Sequence, residues 1–402
     1  MRVYNHRFAL KDLYEFEGFK FCDSWLDEGF ILIELARTKV TGTCPICKHR
    51  CSHIKDRHTR RIRDLDLAGS EAYLEYEEWR ITCSCGYEGV ESLAFVRKHS
   101  RCTKRFEERA AILCQVMTVK DVAKELRLDW STVKDIDKEN ARKSIVDLRY
   151  AMPKGIGVDE IAYEKRHKYL TIVRDIDKRR VIWVGKGRKE ETLDAFFRLL
   201  GVRKCRNIKV AVIDMWDPYI ASILRNTKAD IVFDKFHIAK KVNEALDKVR
   251  RKEFAIADEE ERMNMKRKRF LILSRQKRLD DEKRESLQDL LNINKKLHCA
   301  YLLKEQILDV FDDKQPVRAI KRLDKWIRNV KDSSIEQFLP VLKTFKTYFY
   351  GIINYFKHNI TNGASEGFNN KINVIKRKAY GFRDLDYFMY KIYQSCGWKA
   401  SQ

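Results

Sequence analysis

Hydrophobic and polar positions alternate with different periods along the chain, and the first third changes from strand-like to helix-like spacing. Phe30–Arg37 ("FILIELAR") and the later run "EAYLEYEEWRITCSCG" are apolar and aromatic, which predicts two strands, and a cysteine pair lies close behind each. Between 101 and 117 apolar residues recur at helical spacing, and two short helices are predicted in 118–138. We expect Thr118 and Ser131 to cap these two helices.

After "MPKG" the pattern changes again. "GIGVDEIAYEK", "KYLTIVRDID" and "RRVIWVGKG" predict three strands joined by short turns, the second turn being a hairpin around Asp177 and Lys178. An amphipathic helix ("KEETLDAFFRLLG"), a nearly all-apolar strand ("NIKVAVIDM"), a helix ("DPYIASILRN") and another buried strand ("ADIVFD") follow. The order β-β-β-α-β-α-β predicts a mixed sheet with helices on its faces. From 235 to about 350 the pattern is helical and highly charged, without strands.

Length and charge limit the class of protein. A chain of 402 residues is too long for one ordinary core and suggests two to four domains. The formal net charge of +24 predicts a polyanionic partner, either nucleic acid or an anionic membrane surface. No segment resembles a signal peptide, and no apolar run approaches the roughly 18 residues of a transmembrane helix. We therefore expect a cytoplasmic protein that binds nucleic acid, which in a bacterium means the nucleoid, rather than a membrane.

The cysteines are concentrated near the amino terminus. Seven of the eleven lie within about the first hundred residues, and without a secretory signal they indicate reduced thiols rather than disulfides. "CPIC" and "CSC" offer four thiolates for one structural, tetrahedral Zn²⁺, namely Cys44, Cys47, Cys83 and Cys85. Strand, knuckle, strand and knuckle together predict a zinc ribbon. Spacing leaves open whether Cys51, His53 or Cys102 replaces one ligand, and the alternative is a set of unconnected buried cysteines.

Three acids stand out from their surroundings. Asp159 interrupts the apolar strand "GIGVDEIAY", and Asp214 ends "VAVID" at the carboxyl end of a strand, where α/β sheets place ligand crevices. Glu366 has no Lys or Arg closer than five residues in this basic chain. Such oxygen ligands suit Mg²⁺ or Mn²⁺ in a site for displacement at phosphorus. Either Asp alone could instead be an ordinary strand end or helix cap, and Asp217 ranks second because its Asp-Pro step suits capping.

Four blocks of the sequence resemble bacterial insertion-sequence transposases of the ISL-three family: "GVDEIAYEKRHKYLTIVRDID", "AVIDMWDPY", "ADIVFDKFHIAKKVNEAL" and "SEGFNNKINVIKRKAYGFRD". The resemblance covers nearly the whole chain, since members also carry a cysteine ribbon and a helix-turn-helix. It implies an RNase H-like fold in which Asp159, Asp214 and Glu366 form a DDE triad, with a helical domain inserted before the last catalytic helix. "FDKFH" resembles the family's (Cys/Asp)-x-x-His motif, which implies a role beside the active site for His237; the alternative is a partly buried histidine near a helix start.

Two segments are candidates for DNA contact. Residues 118–138 fit a helix-turn-helix with a core of Val122, Leu126, Val133 and Ile136. The start of its second helix would then present the side chains that meet base edges, Ser131, Thr132, Lys134 and Asp135. The alternative is a plain α-hairpin linker. Behind Glu366, "KINVIKRKAYGFR" combines cations that suit phosphates with aromatics that suit unpaired bases, namely Lys376, Arg377, Lys378, Tyr380 and Phe382.

We therefore predict a multidomain α/β protein. An RNase H-like mixed sheet with helices on both faces is interrupted by an all-helical insertion and preceded by a zinc ribbon and a helix-turn-helix. The predicted boundaries are 1–100 for the ribbon, 101–150 for the helix-turn-helix, 151–240 for the first catalytic part, 241–350 for the insertion and 351–402 for the final helix and tail.

The family resemblance implies a DNA transposase that binds the terminal inverted repeats of an insertion sequence. It would cleave the element ends by metal-dependent hydrolysis and join the 3′-hydroxyl to target DNA by transesterification. Because two ends must be held together, a homo-oligomer is expected. Two alternatives remain: a DNA-binding regulator whose sheet is only a scaffold, and a structure-specific nuclease that cuts but does not join.

Overall fold

The computed structural model describes residues 10–164, 168–360, 363–379 and 382–397, with the side chains of 10 and 363–366 outside the description. The chain forms two compact units, Met1–Lys143 and Ser144–Gln402. No helix among the described residues is long and apolar enough to span a membrane.

The first unit is built on a five-stranded sheet in the order β1-β2-β6-β5, with β7 paired to β6, and a separate two-stranded β3-β4 hairpin. The strands are β1 (Phe19–Asp27), β2 (Phe30–Arg37), β3 (Gly42–Thr43), β4 (Arg50–Cys51), β5 (Ile54–Leu67), β6 (Ser70–Thr82) and β7 (Glu88–Val90). Both predicted strands are confirmed as β2 and β6. Strand β5 was not predicted, because its first half is polar and exposed at the edge of the sheet.

Three helices follow in the same unit: α1 (Lys104–Val116), α2 (Val119–Glu125) and α3 (Trp130–Arg142). The predicted core is confirmed, since Val122, Val133 and Ile136 are buried and Leu126 packs against them. Thr118 caps α2 as predicted, because its side chain accepts a hydrogen bond from the backbone N–H of Asp121. The expected Ser131 cap is wrong: the cap position is Asp129, two residues earlier, and Ser131 is the second residue of α3.

The second unit contains a mixed sheet in the order β10-β9-β8-β11-β12. Strands β8, β9 and β10 are antiparallel neighbours, whereas β11 runs parallel to both β8 and β12. The elements are β8 (Gly155–Glu164), β9 (Lys168–Asp175), β10 (Arg180–Lys186), α4 (Glu190–Leu200), α5 (Val202–Cys205), β11 (Val210–Ile213), α6 (Asp217–Asn226) and β12 (Asp230–Phe233). This is the predicted RNase H-like sheet, including the hairpin between β9 and β10.

Helices cover both faces of this sheet. Successive residues of a strand point to opposite faces, so each strand contributes to two separate cores. Val158 and Val173 are opposite one another on β8 and β9 and pack into the core that contains Phe196 of α4. Ile172, on the other face, belongs to a second core with Phe388 of the carboxy-terminal helices. Asp159 is opposite Ile172 in the register, which places it on this second face.

Helices fill the chain between β12 and the carboxy terminus: α7 (Lys235–Ile256), α8 (Glu259–Met265), α9 (Arg269–Leu273), α10 (Asp281–Ile293), α11 (Lys295–Phe311), α12 (Pro316–Asp332), α13 (Leu339–Thr347), α14 (Phe349–His358), α15 (Gly363–Lys378) and α16 (Leu385–Cys396). The predicted strand-free stretch from 235 to 350 is confirmed. Helix α14 returns the chain to the sheet, because Asn354 Nδ2 donates to the Ile231 carbonyl of β12 at 3.0 Å and Lys357 pairs with Asp230 at 2.7 Å.

Candidate active site and zinc centre

Asp159 and Asp214 lie side by side on adjacent parallel strands. Gly157 of β8 is opposite Val212 of β11, so the register brings Asp159, two residues further along β8, level with Asp214, the residue directly after β11. Burial raises the pKa of Asp159 above its ordinary value, and the negative charge of Asp214 raises it further. The structure thus brings together the first two acids predicted from the sequence, and their charges repel each other.

His237 contacts Asp214 directly. Asp234 caps α7, because its Oδ1 accepts a hydrogen bond from the Phe236 N–H at 3.1 Å, and this places His237 in the first turn. His237 Nε2 lies 2.6 Å from Asp214 Oδ1. This close contact raises the pKa of the imidazole, because the negative Asp214 favours its protonated form.

Helix α15 is docked onto Asp159 by an asparagine that sequence reasoning missed. Asn369 Nδ2 donates to Asp159 Oδ2 at 2.6 Å, and the Glu160 N–H donates to Asp159 Oδ1 at 2.8 Å. Glu366 is one helical turn before Asn369 in α15. The Glu366 side chain itself lies outside the described residues.

A buried arginine that the sequence analysis did not single out lies next to Asp159. Arg174 on β9 is opposite Gly157 and is only 3% exposed. A Cβ added at Gly157 would be 2.7 Å from Arg174 Nη2, so the guanidinium occupies the space above that glycine. Its charge lowers the pKa of Asp159, opposing the effect of burial. The Phe368 ring of α15 covers the guanidinium at 5.4 Å.

A further acid beside Asp159 has its own cation. Arg188 Nη1 donates to Glu160 Oε1 at 3.3 Å. The guanidinium is held between the rings of Tyr169 and Trp216, with centroid distances of 4.1 and 4.7 Å. Arg188 already compensates the charge of Glu160, so Asp159 and Asp214 are better candidates for metal ligands than Glu160 is.

Asp217 lies apart from these acids. It is the first residue of α6 rather than its cap, so the expected capping role is wrong. Its side chain is exposed and accepts a hydrogen bond from the Tyr348 hydroxyl at 2.9 Å.

The two acids beside each other, Asp159 and Asp214, fit a divalent cation. Asp159 and Asp214 supply carboxylate oxygens of the type that Mg²⁺ and Mn²⁺ prefer. The raised pKa of Asp159 shows that its charge is incompletely compensated by Arg174 and Asn369. A cation between the two acids would relieve both burial and mutual repulsion.

The four predicted zinc ligands converge in the first unit. The β3-β4 hairpin carries Cys44 and Cys47, the turn from β6 to β7 carries Cys83 and Cys85, and all four Sγ atoms lie within 4.8 Å of one another. The Cys44–Cys85 and Cys47–Cys83 Sγ distances are 3.7 and 3.5 Å. A tetrahedral site with Zn–S bonds of about 2.3 Å requires about 3.8 Å between sulfurs. These cysteines therefore fit Zn²⁺.

The alternative zinc ligands lie outside the group of four converging sulfurs. Cys51 is buried in the same small core as Cys44 and Cys83, but the group of sulfurs that lie within 4.8 Å of one another includes neither Cys51 nor a ring nitrogen of His53. Cys102 belongs to the core around Phe106. Around the cluster itself, a hydrogen bond from the Cys85 N–H lowers the pKa of Cys83 below its usual range.

The proposed DNA contacts have mixed placements. Ser131, Thr132, Lys134 and Asp135 lie in the first two turns of α3, with Ser131 and Asp135 exposed. In α15, Arg377 is exposed, Lys378 is half-buried, and Lys376 Nζ donates to the Ala162 carbonyl at 3.0 Å.

The expected base stacking by aromatic residues behind α15 is not supported. Phe382 stacks on Phe388 at 4.8 Å and packs into the core of the second unit, because its ring is apolar and a core partner is within reach. Tyr380 lies outside the described residues.

Comparison with known proteins agrees with this arrangement. Residues 156–392 match a family model described as a transposase, 91–139 match the helix-turn-helix domain of transposase family ISL3, and 41–85 match the zinc-finger of transposase IS204/IS1001/IS1096/IS1165. The chain is 33% identical over 365 residues to the transposase for insertion sequence element IS1001 of Bordetella parapertussis, covering 90% of each protein.

A second relative is the transposase for insertion sequence element IS1557 of Mycobacterium tuberculosis, found in two strains. It is 28% identical over 376 residues, covering 86% of this chain and 84% of the relative. The three domain matches follow one another along the chain in the order that the sequence predicted. The chain therefore belongs to the ISL3 family of transposases, DNA-acting proteins with a zinc ribbon, a helix-turn-helix and a transposase domain.

Proposed function

We propose that this transposase binds the terminal inverted repeats of its insertion sequence, hydrolyses the phosphodiester at each end and joins the freed 3′-hydroxyl to target DNA by transesterification. The observation that carries the proposal is the pair formed by Asp159 and Asp214 on adjacent parallel strands, with His237 in contact with Asp214. Both steps are displacements at phosphorus by an oxygen nucleophile. Neither requires a catalytic Ser or Tyr.

Asp159, Asp214 and Glu366 would hold Mg²⁺ or Mn²⁺, which supplies activation of the attacking oxygen and stabilisation of the leaving oxygen. The other residues keep the acids in place. Asn369 fixes one oxygen of Asp159 and attaches α15, the helix that carries Glu366, to β8. His237 orients Asp214 through its 2.6 Å contact. Arg174 offsets part of the cost of burying Asp159.

DNA recognition is assigned to the first unit and to α15. Ser131, Thr132 and Lys134 of α3 would meet base edges, while Arg377 and Lys378 would contact phosphates near the cleaved end. We retain the five segment boundaries given above as the proposed domain division. Because two element ends must be held together, the working form is a homo-oligomer.

Cleavage of a supercoiled plasmid carrying the native element tests the acid site. The Asp214→Asn variant should bind element ends like the wild type. Its cleavage rate in Mg²⁺ should fall by more than about 100-fold, because losing a direct ligand should cost more than losing an outer-shell partner, which costs up to about 100-fold. Asp217→Asn is the matched control: the same change three residues away, on an exposed side chain, should leave cleavage intact. Normal cleavage by Asp214→Asn would remove Asp214 from the catalytic site, and absence of cleavage by the wild type would favour a DNA-binding regulator with a scaffold sheet.

Joining requires a separate assay. A duplex with a pre-cut element end and a free 3′-hydroxyl is incubated with a target plasmid. We expect joined products whose formation is lost in Asp159→Asn and Asp214→Asn. Cleavage without any joined product would instead identify a structure-specific nuclease.

A further inference from the structure

The first unit contains an open cavity of about 560 Å³ whose walls are rich in arginine. Four arginines line it: Arg60, Arg61, Arg63 and Arg101. The first three belong to β5, the edge strand of the sheet, where Arg61 and Arg63 share one face and Arg60 lies on the other. Tyr73, Glu78 and His99 complete the lining.

The lining cations differ in how far the protein already compensates them. Arg60 Nη1 lies 2.5 Å from Glu78 Oε1, and Arg61 Nη2 lies 3.1 Å from Glu75 Oε2. Arg63 is buried and paired with Asp66. Arg101, in contrast, is exposed and its side chain has no hydrogen bond or ion pair within the part of the chain that the structure describes. The cavity therefore has a guanidinium available for an external anion.

Buried polar contacts also join the cavity strand to the helix-turn-helix. Thr103, the cap of α1, donates its hydroxyl to Asp64 of β5 at 2.6 Å, and Arg105 Nε donates to the same carboxylate at 2.8 Å. Asp64 is fully buried, so this contact is shielded from solvent. The first helix therefore keeps a fixed position relative to the arginines of β5.

A second connection reaches the turn between α2 and α3. Arg127 in that turn has its Nε 2.9 Å from Glu71 Oε1, and Tyr73 of the cavity wall donates its hydroxyl to Glu71 Oε2 at 2.8 Å. Arg127 and Arg63 also share Asp66 as an ion-pair partner. These contacts connect the cavity wall to the turn that precedes α3.

We propose that this cavity binds a backbone phosphate of the DNA whose bases α3 contacts, with Arg101 as the principal ligand and Arg61 as the second. The inference rests on the proposed recognition of element ends by the helix-turn-helix. Guanidinium groups suit phosphate oxygens because their N–H donors form a planar fork. A phosphate held at a fixed distance from α3 sets the register in which that helix meets the bases.

The first test compares single arginine variants by affinity for a duplex of the native element end, with no divalent cation added. Arg101→Ala should reduce the slope of log K against log salt by about 0.9, which corresponds to about 8-fold in affinity at 0.1 M salt relative to 1 M. Arg109→Ala removes the same charge from an exposed position on α1, outside the cavity lining, and should change the slope less. Equal effects of the two variants would overturn the proposal.

The second test locates the phosphate. Each phosphate of the duplex is replaced in turn by a neutral methylphosphonate, and binding is measured with the wild type and with Arg101→Ala. At one position the methylphosphonate should weaken DNA binding by the wild type but not by Arg101→Ala, because the variant has already lost the contact with that phosphate. Additive effects at every position would overturn the proposal. Arg61→Gln provides a second variant for the same cycle, and zinc content with thermal melting shows that each variant is folded.

These outcomes are separable from failure of the proposed function. Wild-type protein that does not bind element ends at all would contradict recognition by the helix-turn-helix. Wild-type binding that is insensitive to Arg101 contradicts only the phosphate cavity.

Discussion

Gly157 is the residue on which the packing beneath the acids depends most directly. The guanidinium of Arg174 passes above it, and any side chain at this position would displace that group from its place beside Asp159. Gly155 lies two residues earlier on the same strand, and a Cβ added there would be 3.6 Å from the side chain of Ile176, an ordinary van der Waals distance. The two glycines therefore form a matched pair.

Gly157→Ala should lower the free energy of unfolding by about 1–3 kcal/mol, the usual cost of overpacking a filled core. Gly155→Ala should change it by less than about 1 kcal/mol, because space for the methyl group is present. Urea denaturation of both variants checks this. Equal destabilisation would mean that Arg174 moves aside without cost.

The charge of His237 depends on Asp214. Their close contact raises the pKa of His237, so its contribution to stability is complete below the ordinary histidine value of about 6.5 and is lost as pH rises through the folded-state pKa. An NMR titration without added divalent cation should give a midpoint above about 6.5 for His237. In Asp214→Asn the midpoint should fall. His237→Gln identifies the signal, and an unchanged midpoint in Asp214→Asn would contradict the pairing.

Residue types decide which members of the site are recognisable in the sequence. Asp159 and Asp214 stand out because a carboxylate is rare in an apolar strand. Asn369 is 210 residues from Asp159 and lies in a segment already rich in Asn, so only the fold reveals their contact. Arg174 interrupts the apolar run "KYLTIVRDID" as Asp159 interrupts its own strand, so the sequence alone could have identified Arg174 as a candidate site residue.

At the scale of elements, periodicity predicted buried strands and amphipathic helices but failed at an exposed edge. Strand β5 lies at the sheet edge and carries mostly polar side chains in its first half, so it has no apolar alternation to detect. The predicted start of α3 was wrong because two neighbouring residues could cap the helix. Asp129 and Ser131 are both residue types that cap helices, and only the Val133 N–H to Asp129 carbonyl bond of 3.2 Å distinguishes them.

The two predicted caps in the helix-turn-helix should therefore respond differently to mutation. Thr118→Ala removes the hydrogen bond to the Asp121 N–H and should lower stability by about 1 kcal/mol. Ser131→Ala, on an exposed residue inside α3, should change stability by less than about 0.5 kcal/mol while weakening DNA binding. Thermal melting and DNA titration measure the two effects. A large loss of stability in Ser131→Ala would restore the capping role.

At the scale of the whole molecule, the chain has two compact units with separate cores. A structural zinc contributes to folding of the unit that holds it. Cys44→Ser should therefore release zinc and lower the melting transition of the first unit by about 10 °C or more. The transition of the second unit should remain unchanged. Cys22→Ser, on an exposed cysteine outside the cluster, is the control, and zinc retention by Cys44→Ser would remove Cys44 from the ligand set.

The separation of the proposed acids along the chain has a consequence during protein synthesis. Asp214 and Glu366 are 366 − 214 = 152 residues apart. At about 5–20 residues per second, the ribosome adds Glu366 roughly 8–30 s after Asp214. Met1–Lys143, with the zinc ribbon and helix-turn-helix, is complete before either. A nascent chain can therefore fold its DNA-binding unit and engage nearby DNA well before the last proposed catalytic carboxylate has been made.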